Sequence, residues 1–352
     1  MPFNIDALVR ENIKKLTPYS SARDEFKGEA RIFLDANENS LGSPLTKWYN
    51  RYPDPLQWEL KKKISTIKGI NAENILLGNG SDECIDLLIR AFCEPVKDNL
   101  IICPPTYGMY EVYANINNVT IKKVALTTNF QLDLEGLENA IDPNTKMIFF
   151  CSPNNPTANS LVREDLEMVM NNFDGLVVID EAYINFSRQR TFTFDLQDYP
   201  NLVVMQTFSK AWGLASLRLG MTLANEDVIA ILNKIKPPYN INQCTQELAM
   251  KALDQLDDVN GMIMEIVRQR EELAYVLDQM PIVQKVYPSD ANFLLLKMDD
   301  ATDVYNYLKE HGIITRNRSN VALCESCLRV TVGTEQENRE LVEVLGRYKK
   351  KS

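Results

Sequence analysis

The amino-acid sequence predicts an α/β fold in which helices cover both faces of a large, mostly parallel sheet. Between about residues 74 and 207, segments of strand character alternate with segments of helical periodicity, which is typical of strand–helix units. Several strand segments, among them IFFC at 148–151 and LVVID at 176–180, are continuously apolar. Strands of this composition occur where both faces of a sheet are covered.

The elements follow in order from the N-terminus. Residues 1 to about 30 are polar and predict an arm, and RIFLDANEN at 31–39 predicts a short strand that leads into a polar loop. A helix is expected from Trp58 to Lys68, ended by Gly69. Strands, some with the turns that follow them, then alternate with helices; the strands are at 74–80, 98–108, 120–127, 146–156, 175–183 and 202–210, and the helices at 81–93, 109–116, 134–141 and 163–173.

From about residue 244 the alternation gives way to an α+β pattern. A long helical stretch at 245–280, interrupted at Asp257-Asp258 and Gly261, precedes a strand pair at 283–298, which is broken at Pro288. The rest of the chain predicts a helix at 303–311, strands at 312–316 and 328–333, and a final helix. We therefore expect an arm at 1–30, a large domain at 31–240 and a small domain at 241–352. Residues 31–44 could be shared with the small domain, which would then draw on both chain ends.

The composition excludes several classes of function. The 352 residues carry 38 basic and 48 acidic side chains, and the net charge of −10 disfavours binding to nucleic-acid phosphates. No apolar run approaches the ~18 residues of a membrane span. The single histidine, His311, rules out metal sites that need two histidines. It lies where a helix is expected to end, which favours a solvated residue over a catalytic one.

The seven cysteines indicate a reducing compartment. Their number is odd, they are scattered, and several lie in apolar runs, so we expect reduced core thiols in a cytoplasmic protein. Cys324 and Cys327 form the only close pair and lack the second pair that a zinc site would need, so no metal is expected. The N-terminal residues do not have the apolar segment of a secretory signal.

Candidate binding residues follow the predicted strands, because open α/β sheets bind ligands at the carboxyl ends of their strands. GNGSDE at 78–83 combines glycines with a helix start, which suits a phosphate. Ser81 or Asp82 could equally be an ordinary helix cap. SPNNPT at 152–157 is either a plain turn or a loop that offers side-chain donors.

Two further strand ends carry charge. Asp180 follows an apolar strand, where a carboxylate is costly to bury unless a cation faces it; the alternative is a helix cap. Lys210 follows Thr207 and Ser209 among apolar residues that should lower its pKa and make it nucleophilic, although a lone loop lysine is usually just solvated. With Arg218 as a further phosphate donor, this set meets the needs of pyridoxal phosphate: a lysine, an acid for the pyridinium nitrogen and a phosphate cup.

The chain resembles a known family of enzymes. It is similar to the fold-type I aminotransferases of class II, and most closely to the histidinol-phosphate aminotransferases. The motifs that carry the resemblance occur in order over nearly the whole chain: LDANEN (34–39), NRYPDP (50–55), GNGSDE (78–83), PPTYGMY (104–110), CSPNNPT (151–157), VIDEAY (178–183), TFSKAWGLASLRLG (207–220), ANFLLL (291–296) and LRVTVGT (328–334).

The resemblance implies a role for each matched residue around the cofactor. Lys210 would be the Schiff-base lysine and would carry the proton of the reaction. Asp180 would keep the pyridinium nitrogen protonated, Tyr183 and Asn155 would hydrogen-bond O3′, and Tyr107 would stack on the ring. The implied phosphate ligands are Ser81, Asp82, Ser209 and Arg218, assisted by Thr207 and, from the neighbouring subunit, Tyr52.

On the substrate side, the resemblance implies that Arg329 binds the anionic end of the substrate. Arg316, Tyr19 and Asn37 would surround that end. Because Tyr52 would reach the other subunit, the implied active unit is a homodimer.

The chain departs from the family pattern at two positions. Ala158 follows Asn155-Pro156-Thr157 where Gly is usual, so a loop position carries a Cβ, with little expected effect on the cofactor. Ser40 follows LDANEN where Pro is usual, which bears on the conformation of that loop.

The implied reaction is transamination between L-histidinol phosphate and 2-oxoglutarate, which gives imidazole-acetol phosphate and L-glutamate in histidine biosynthesis. Another fold-type I enzyme, such as an aromatic amino-acid aminotransferase or a threonine-phosphate decarboxylase, is the alternative. A cofactor-binding regulator would need a DNA-binding segment, and a nicotinamide dehydrogenase would need the glycine fingerprint; the sequence shows neither.

Overall fold

The computed structural model describes residues 3–19, 31–45, 47 and 49–349. Its larger sheet consists of β1 (Ile75–Asn79), β2 (Asn99–Ile102), β3 (Thr120–Lys123), β4 (Thr145–Cys151), β5 (Leu176–Asp180), β6 (Leu202–Thr207) and β7 (Leu219–Ala224). The order is β1-β7-β6-β5-β4-β2-β3. Pairing is parallel from β6 through β5, β4 and β2 to β3, and β7 runs antiparallel to both of its neighbours. The predicted, mostly parallel sheet is confirmed.

Helices pack on both faces of this sheet. Alternate residues of each central strand face opposite layers: in β5, Val177 and Ile179 join one apolar cluster, and Leu176 and Val178 join the other. This two-sided burial explains the continuous apolar runs of the sequence. The α-helices in the described residues are α1 (Ile5–Leu8), α2 (Glu11–Lys15), α3 (Trp58–Lys68), α4 (Gly80–Phe92), α5 (Met109–Ile116), α6 (Leu134–Ala140), α7 (Arg163–Asn172), α8 (Glu226–Ile235), α9 (Gln243–Leu253), α10 (Leu256–Asp278), α11 (Ala301–Glu310) and α12 (Glu335–Gly346).

A second sheet is formed by the C-terminal part of the chain. Its strands are β8 (Val283–Val286), β9 (Phe293–Met298), β10 (Arg316–Asn317) and β11 (Cys327–Thr331), in the antiparallel order β10-β11-β9-β8. Residues of α10, α11 and α12 share a buried apolar cluster with β9 and β11. The small α+β unit expected near the C-terminus is therefore present.

Some details of the sequence prediction are wrong. Residues 31–39 form no strand, since Ile32 and Leu34 are exposed and no described strand lies beside them. The break in the helical stretch at 245–280 lies earlier than the expected Asp257-Asp258 and Gly261, both of which are inside α10. The N–H groups of Asp254 and Gln255 bond to carbonyls three residues back and end α9. The strands expected at 120–127 and 312–316 are limited to β3 and β10.

The described N-terminal residues belong to the large unit. Leu8 and Ile13 pack in the same cluster as α4, and the N–H of Arg10 donates to the carbonyl of Ala91 at 3.2 Å. The four strands of the small sheet come from residues 283–331. The expectation that the small domain draws on both chain ends, through residues 31–44, stays a prediction. Residues 20–30 of the predicted arm lie outside the described residues. The domain boundary at 240/241 stays a prediction.

The cysteines and the helices bear on two further expectations. All seven cysteines are free. Six are buried, but Cys244 is exposed, because it lies in the first turn of α9 and not in an apolar run. None of the helices in the described ranges combines the length and the apolar composition needed to cross a membrane.

Candidate active site

The carboxyl ends of β4, β5 and β6 meet at one edge of the large sheet. The register pairs Cys151 with Asp180, and Asp180 with Met205. A cavity of about 720 Å³ opens at this edge and reaches the small sheet. Its lining includes twelve of the site residues expected from the sequence: Ser81, Asp82, Tyr107, Asn155, Asp180, Tyr183, Thr207, Ser209, Lys210, Arg218, Arg316 and Arg329.

Lys210 lies just beyond β6, in the loop that leads to β7. Its side chain is solvent-accessible within the cavity, with Nζ 5.6 Å from the ring centroid of Tyr183. The surrounding protein and the nearby Arg329 guanidinium lower the pKa of Lys210, while Asp180 opposes this shift. The amine therefore loses its proton more readily than a surface lysine, which favours nucleophilic attack and proton transfer.

Asp180 is a buried carboxylate at the end of β5, 2% exposed. The hydroxyl of Tyr110 donates to Oδ2 at 2.7 Å, and the N–H of Ala182 donates to Oδ1 at 3.1 Å. Burial raises the pKa of Asp180 to about 6, and these two hydrogen bonds limit the rise. The next helical turn begins at Ile184 and is capped by Tyr183, so Asp180 is not a helix cap.

A cradle for an anion lies where α4 begins. A Cβ at Gly220 would lie 2.3 Å from the nitrogen of Ser81, and one at Gly80 would lie 2.8 Å from Nη2 of Arg218. The N–H groups of Ser81 and Asp82 have no hydrogen-bond partner among the described residues, and α4 starts before them, so neither caps it. Arg218 Nη2 donates to Asp82 Oδ2 at 3.4 Å. Free amides at a helix start beside a guanidinium fit a phosphate group.

Two tyrosines line the same cavity as Lys210 and this cradle. The Tyr107 hydroxyl donates to Asp82 Oδ1 at 3.1 Å. Tyr183 is buried and meets Phe293 of the small sheet edge to face, with ring centroids 5.1 Å apart. Burial raises the pKa of both phenols, so both hydroxyls remain protonated donors at neutral pH.

The loop after β4 connects the two sheets. Arg329 of β11 donates from Nη1 to Oδ1 of Asn155 at 2.5 Å. Asn154 anchors the loop by donating from Nδ2 to the carbonyl of Pro105 at 2.8 Å. The loop is thus more than a plain turn. Ala158 ends it in a left-handed conformation, with φ 71°, which is a backbone state that favours glycine.

Sequence reasoning assigned no role to two residues at this site. Tyr110 is fully buried, stacks on Phe149 with ring centroids 4.9 Å apart, and donates to Asp180. Arg318 lines the cavity beside Arg316 and Arg329. The sequence offers no signal for Tyr110, because its contact with Asp180 arises only when α5 packs beside β5. The signal for Arg318 was its two-residue spacing from Arg316 on a strand.

Three expected site residues lie away from this cavity. Asn37 and Tyr52 line a second cavity of about 480 Å³, in which Tyr52 stacks on Tyr239 with ring centroids 4.5 Å apart. Tyr19 is 71% exposed and lines neither cavity. The roles expected for Tyr52 at a neighbouring subunit and for Tyr19 and Asn37 at the substrate stay predictions.

The histidine lies outside the cavity. His311 is exposed at the end of α11, with Nδ1 2.8 Å from the carbonyl oxygen of Tyr307, so it is the solvated helix-end residue that the sequence predicts. Within residues 3–19, 31–45, 47 and 49–349, no group of three or more His, Cys, Asp or Glu side chains is arranged to hold a metal ion.

Comparison with known proteins gives a family and a fold. The family model described as aminotransferase class I and II matches residues 36–345. A histidinol-phosphate aminotransferase of Cytophaga hutchinsonii is 53% identical over 348 residues, which is 99% of this chain and 100% of that relative.

Two solved structures share the fold at low identity. The histidinol-phosphate aminotransferase of Sinorhizobium meliloti in complex with pyridoxal-5′-phosphate has a TM-score of 0.78 and 23% identity, covering 88% of this chain and 89% of that one. The L-threonine-O-3-phosphate decarboxylase of Porphyromonas gingivalis has a TM-score of 0.72 and 23% identity, covering 84% and 90%. The fold is therefore shared by transaminating and decarboxylating enzymes.

Proposed function

The chain belongs to the class I and II aminotransferases, and we propose that it transfers the amino group between L-histidinol phosphate and 2-oxoglutarate with pyridoxal phosphate as cofactor. The products are imidazole-acetol phosphate and L-glutamate. The observation that carries the proposal is that Lys210, Asp180 and the anion cradle at the start of α4 share one cavity. The 53% identical relative supports the choice of substrate.

The residues of the cavity fit this cofactor. When bound, pyridoxal phosphate supplies an electron-withdrawing ring that lets the Cα–H bond of an amino substrate ionise. Ser81 and Asp82 would bind its phosphate with their free N–H groups, and Arg218 with its guanidinium. Thr207 Oγ1 accepts the N–H of Ser209 at 3.1 Å, which positions the Ser209 hydroxyl as a further donor.

The groups around the ring would fix its charge and orientation. The buried carboxylate of Asp180 is stabilised by a cation, and a protonated ring nitrogen is such a cation. Tyr107 would stack on the ring, and the donor groups of Tyr183 and Asn155 would bind O3′. Lys210 would take the proton from the substrate carbon as a neutral amine and return it as an ammonium ion, which agrees with its lowered pKa.

The substrate end of the cavity is cationic. Arg316 and Arg329 face each other across the β10–β11 pair and line the cavity. A guanidinium binds a carboxylate or a phosphate in the same two-pronged way, so one site can accept both glutamate and histidinol phosphate in turn. Tyr19 and Asn37 would complete this end in the assembled enzyme.

We propose that the active unit is a homodimer. Large apolar side chains are exposed along residues 31–52, among them Leu34 at 84% and Leu41 at 92%. Clustered exposure of this kind is typical of an interface. The second cavity, which holds Tyr52, adjoins this segment, and Tyr52 would reach the cofactor phosphate of the partner. Sedimentation analysis should give twice the chain mass of 40.2 kDa.

The reaction belongs to histidine biosynthesis, and we place it in the cytoplasm. Seven free cysteines are in keeping with a reducing compartment. Histidinol phosphate is doubly charged at its phosphate and does not cross membranes unaided.

The proposal is tested by measuring glutamate formation from 2-oxoglutarate with histidinol phosphate, and separately with a panel of aromatic amino acids. We expect kcat/KM for histidinol phosphate to exceed that for phenylalanine at least ~10-fold, because its phosphate brings close to two negative charges to the arginines of the cavity, whereas the carboxylate of phenylalanine brings one. Equal or greater activity on phenylalanine would overturn the narrow assignment and leave a broad aminotransferase.

Decarboxylation is the second candidate, because the fold is shared with a threonine-phosphate decarboxylase. Decarboxylation and transamination are distinguished by supplying threonine phosphate and measuring both the release of CO₂ and the transfer of the amino group to 2-oxoglutarate. We expect amine transfer with histidinol phosphate and no stoichiometric CO₂ release with threonine phosphate.

A further inference from the structure

Three guanidinium groups lie on one face of the β10–β11 pair. Arg316 is directly opposite Arg329 in the register. The N–H of Arg318 donates to the carbonyl of Cys327 at 2.9 Å, which continues the pairing for one more step. Residues two apart on an extended segment point to the same face, so Arg318 joins Arg316 and Arg329, and all three line the main cavity.

These three cations have no acidic partner among the described residues. Arg329 donates to the neutral Asn155 amide and lies over the ring of Phe293, 5.2 Å from its centroid. Arg318 has a buried Nε with no hydrogen-bond partner in the described part of the chain. Burial and the charges of Arg329 and Arg316 lower the pKa of Arg318 to about 10. Like charges held this close are costly unless an anion binds between them.

The two ends of the cavity differ in charge. At the cradle, Arg218 is balanced by Asp82 at 3.4 Å. The lining as a whole carries five basic side chains (Lys210, Arg218, Arg316, Arg318 and Arg329) against two acidic ones (Asp82 and Asp180). The excess positive charge is therefore at the β10–β11 end, away from the groups assigned to the cofactor phosphate.

We propose that Arg318 determines specificity by adding a third guanidinium that selects a dianionic phosphate monoester over a carboxylate at the substrate end. The proposal rests on the proposed function for the identity of the reaction. A carboxylate has two oxygens and one charge, and one bidentate arginine beside a second satisfies it. A phosphate monoester presents three oxygens and close to two charges, so a third guanidinium contributes mainly to its binding.

A purely structural role would require contacts that the side chain of Arg318 does not make. The loop that follows β10 is held by its backbone, since the N–H of Val321 donates to the carbonyl of Arg318 at 2.8 Å and Cys324 to Val321 at 2.9 Å. The guanidinium makes no hydrogen bond to the described protein. Replacing it should therefore leave the loop in place.

The test compares Arg318→Gln and Arg318→Lys holoenzymes with wild type. Arg318→Gln should raise KM for histidinol phosphate by roughly 10- to 100-fold, the usual loss for a hydrogen-bonded charge pair. KM for glutamate and kcat for both substrates should stay within about 3-fold, and Arg318→Lys should recover part of the loss. Arg188→Gln, which changes an arginine that is 90% exposed and paired with Glu271, is the matched control and should behave as wild type.

A second measurement separates this proposal from the proposed function. Inorganic phosphate should inhibit glutamate turnover competitively, and Arg318→Gln should weaken that inhibition about 10-fold or more. Equal increases in KM for histidinol phosphate and glutamate, or unchanged phosphate inhibition, would overturn the role of Arg318. If wild type ignores histidinol phosphate but phosphate inhibition still depends on Arg318, the proposed substrate is wrong and the phosphate-selective site stands.

Discussion

The two ends of the main cavity are built differently. At the cofactor end, both acidic side chains have a partner: Asp82 pairs with Arg218, and Asp180 accepts from Tyr110. At the substrate end, Arg316 and Arg318 have no partner among the described residues, and Arg329 has only a neutral amide. The first end is preorganised for one resident molecule, whereas the second keeps a charge excess that successive substrates of different shape can satisfy.

The largest effect is expected from Lys210→Ala, because both ends of the cavity act on this amine. Turnover should fall by at least ~10²–10⁴-fold, the usual contribution of a positioned proton-transfer group. Folding should be intact, since the side chain is accessible within the cavity and not in the core. Steady-state rates and thermal melting check both statements. The exposed Lys285, changed to Ala, is the control, and near-normal turnover in Lys210→Ala would exclude Lys210 as the proton carrier.

The next largest effect is expected from Arg329→Gln, which disrupts the substrate end of the cavity. Loss of its charge-assisted contacts, and of the link to Asn155, should lower kcat/KM for both glutamate and histidinol phosphate by about 10²-fold or more. Affinity for pyridoxal phosphate should change far less, because the cradle lies at the other end. Kinetics and cofactor titration of the apoprotein separate the two effects. An equal loss of cofactor affinity would mean that the two ends are not independent.

Gly220→Ala introduces a steric clash at the cofactor end of the cavity. The added Cβ would meet the nitrogen of Ser81 at 2.3 Å, so the β7–α4 approach must open and displace the N–H groups of the cradle. We expect a loss of pyridoxal-phosphate affinity of roughly 10-fold or more, with KM values little changed once cofactor is saturating. Gly261→Ala, where a Cβ meets nothing within 4 Å, is the control. Unchanged affinity in Gly220→Ala would argue against this cradle.

The sequence predicts the cofactor end of the cavity better than the substrate end. The cofactor end was predictable because Asp180, Lys210 and Ser81 follow strand ends, and parallel strands bring such positions to one edge. The spacing of Arg318 from Arg316 indicates only that the two share a face of a strand. The roles of Arg318 and Tyr110 were not predictable, since they depend on how β10 and α5 dock onto that edge. Residues 31–39 were misassigned because a strand needs a neighbouring strand, which an apolar alternation alone does not reveal.

A smaller, pH-dependent effect is expected from Tyr110→Phe. Burial raises the pKa of Asp180 to about 6, and the hydrogen bond from the Tyr110 hydroxyl limits this rise. Removal of the hydroxyl therefore raises the pKa of Asp180 further. Below its pKa Asp180 is protonated and no longer balances a ring cation, so cofactor affinity falls as pH falls. The break in a plot of apoprotein affinity against pH should therefore move to higher pH, by about 1 unit. Wild type measured in parallel corrects for titration of the cofactor, and coincident curves would contradict the role of Tyr110.

The smallest effect is expected from Ala158→Gly, which tests the loop that joins the two ends. Ala158 is fully buried at φ 71°, where a Cβ costs about 1–2 kcal/mol, while glycine costs about 0.4–1 kcal/mol in unfolded-state entropy. The two nearly cancel, apart from the lost burial of one methyl group, so the melting temperature should move little. Ala291→Gly, at an equally buried position without positive φ, should be destabilised by more. If both variants lose equal stability and Ala158→Gly also loses activity, the loop owes its conformation to the methyl group of Ala158. If only Ala291→Gly is destabilised, the loop is held by the contacts of Asn154 with the carbonyl of Pro105 and of Asn155 with Arg329 of the small sheet, and these contacts connect the two ends of the cavity.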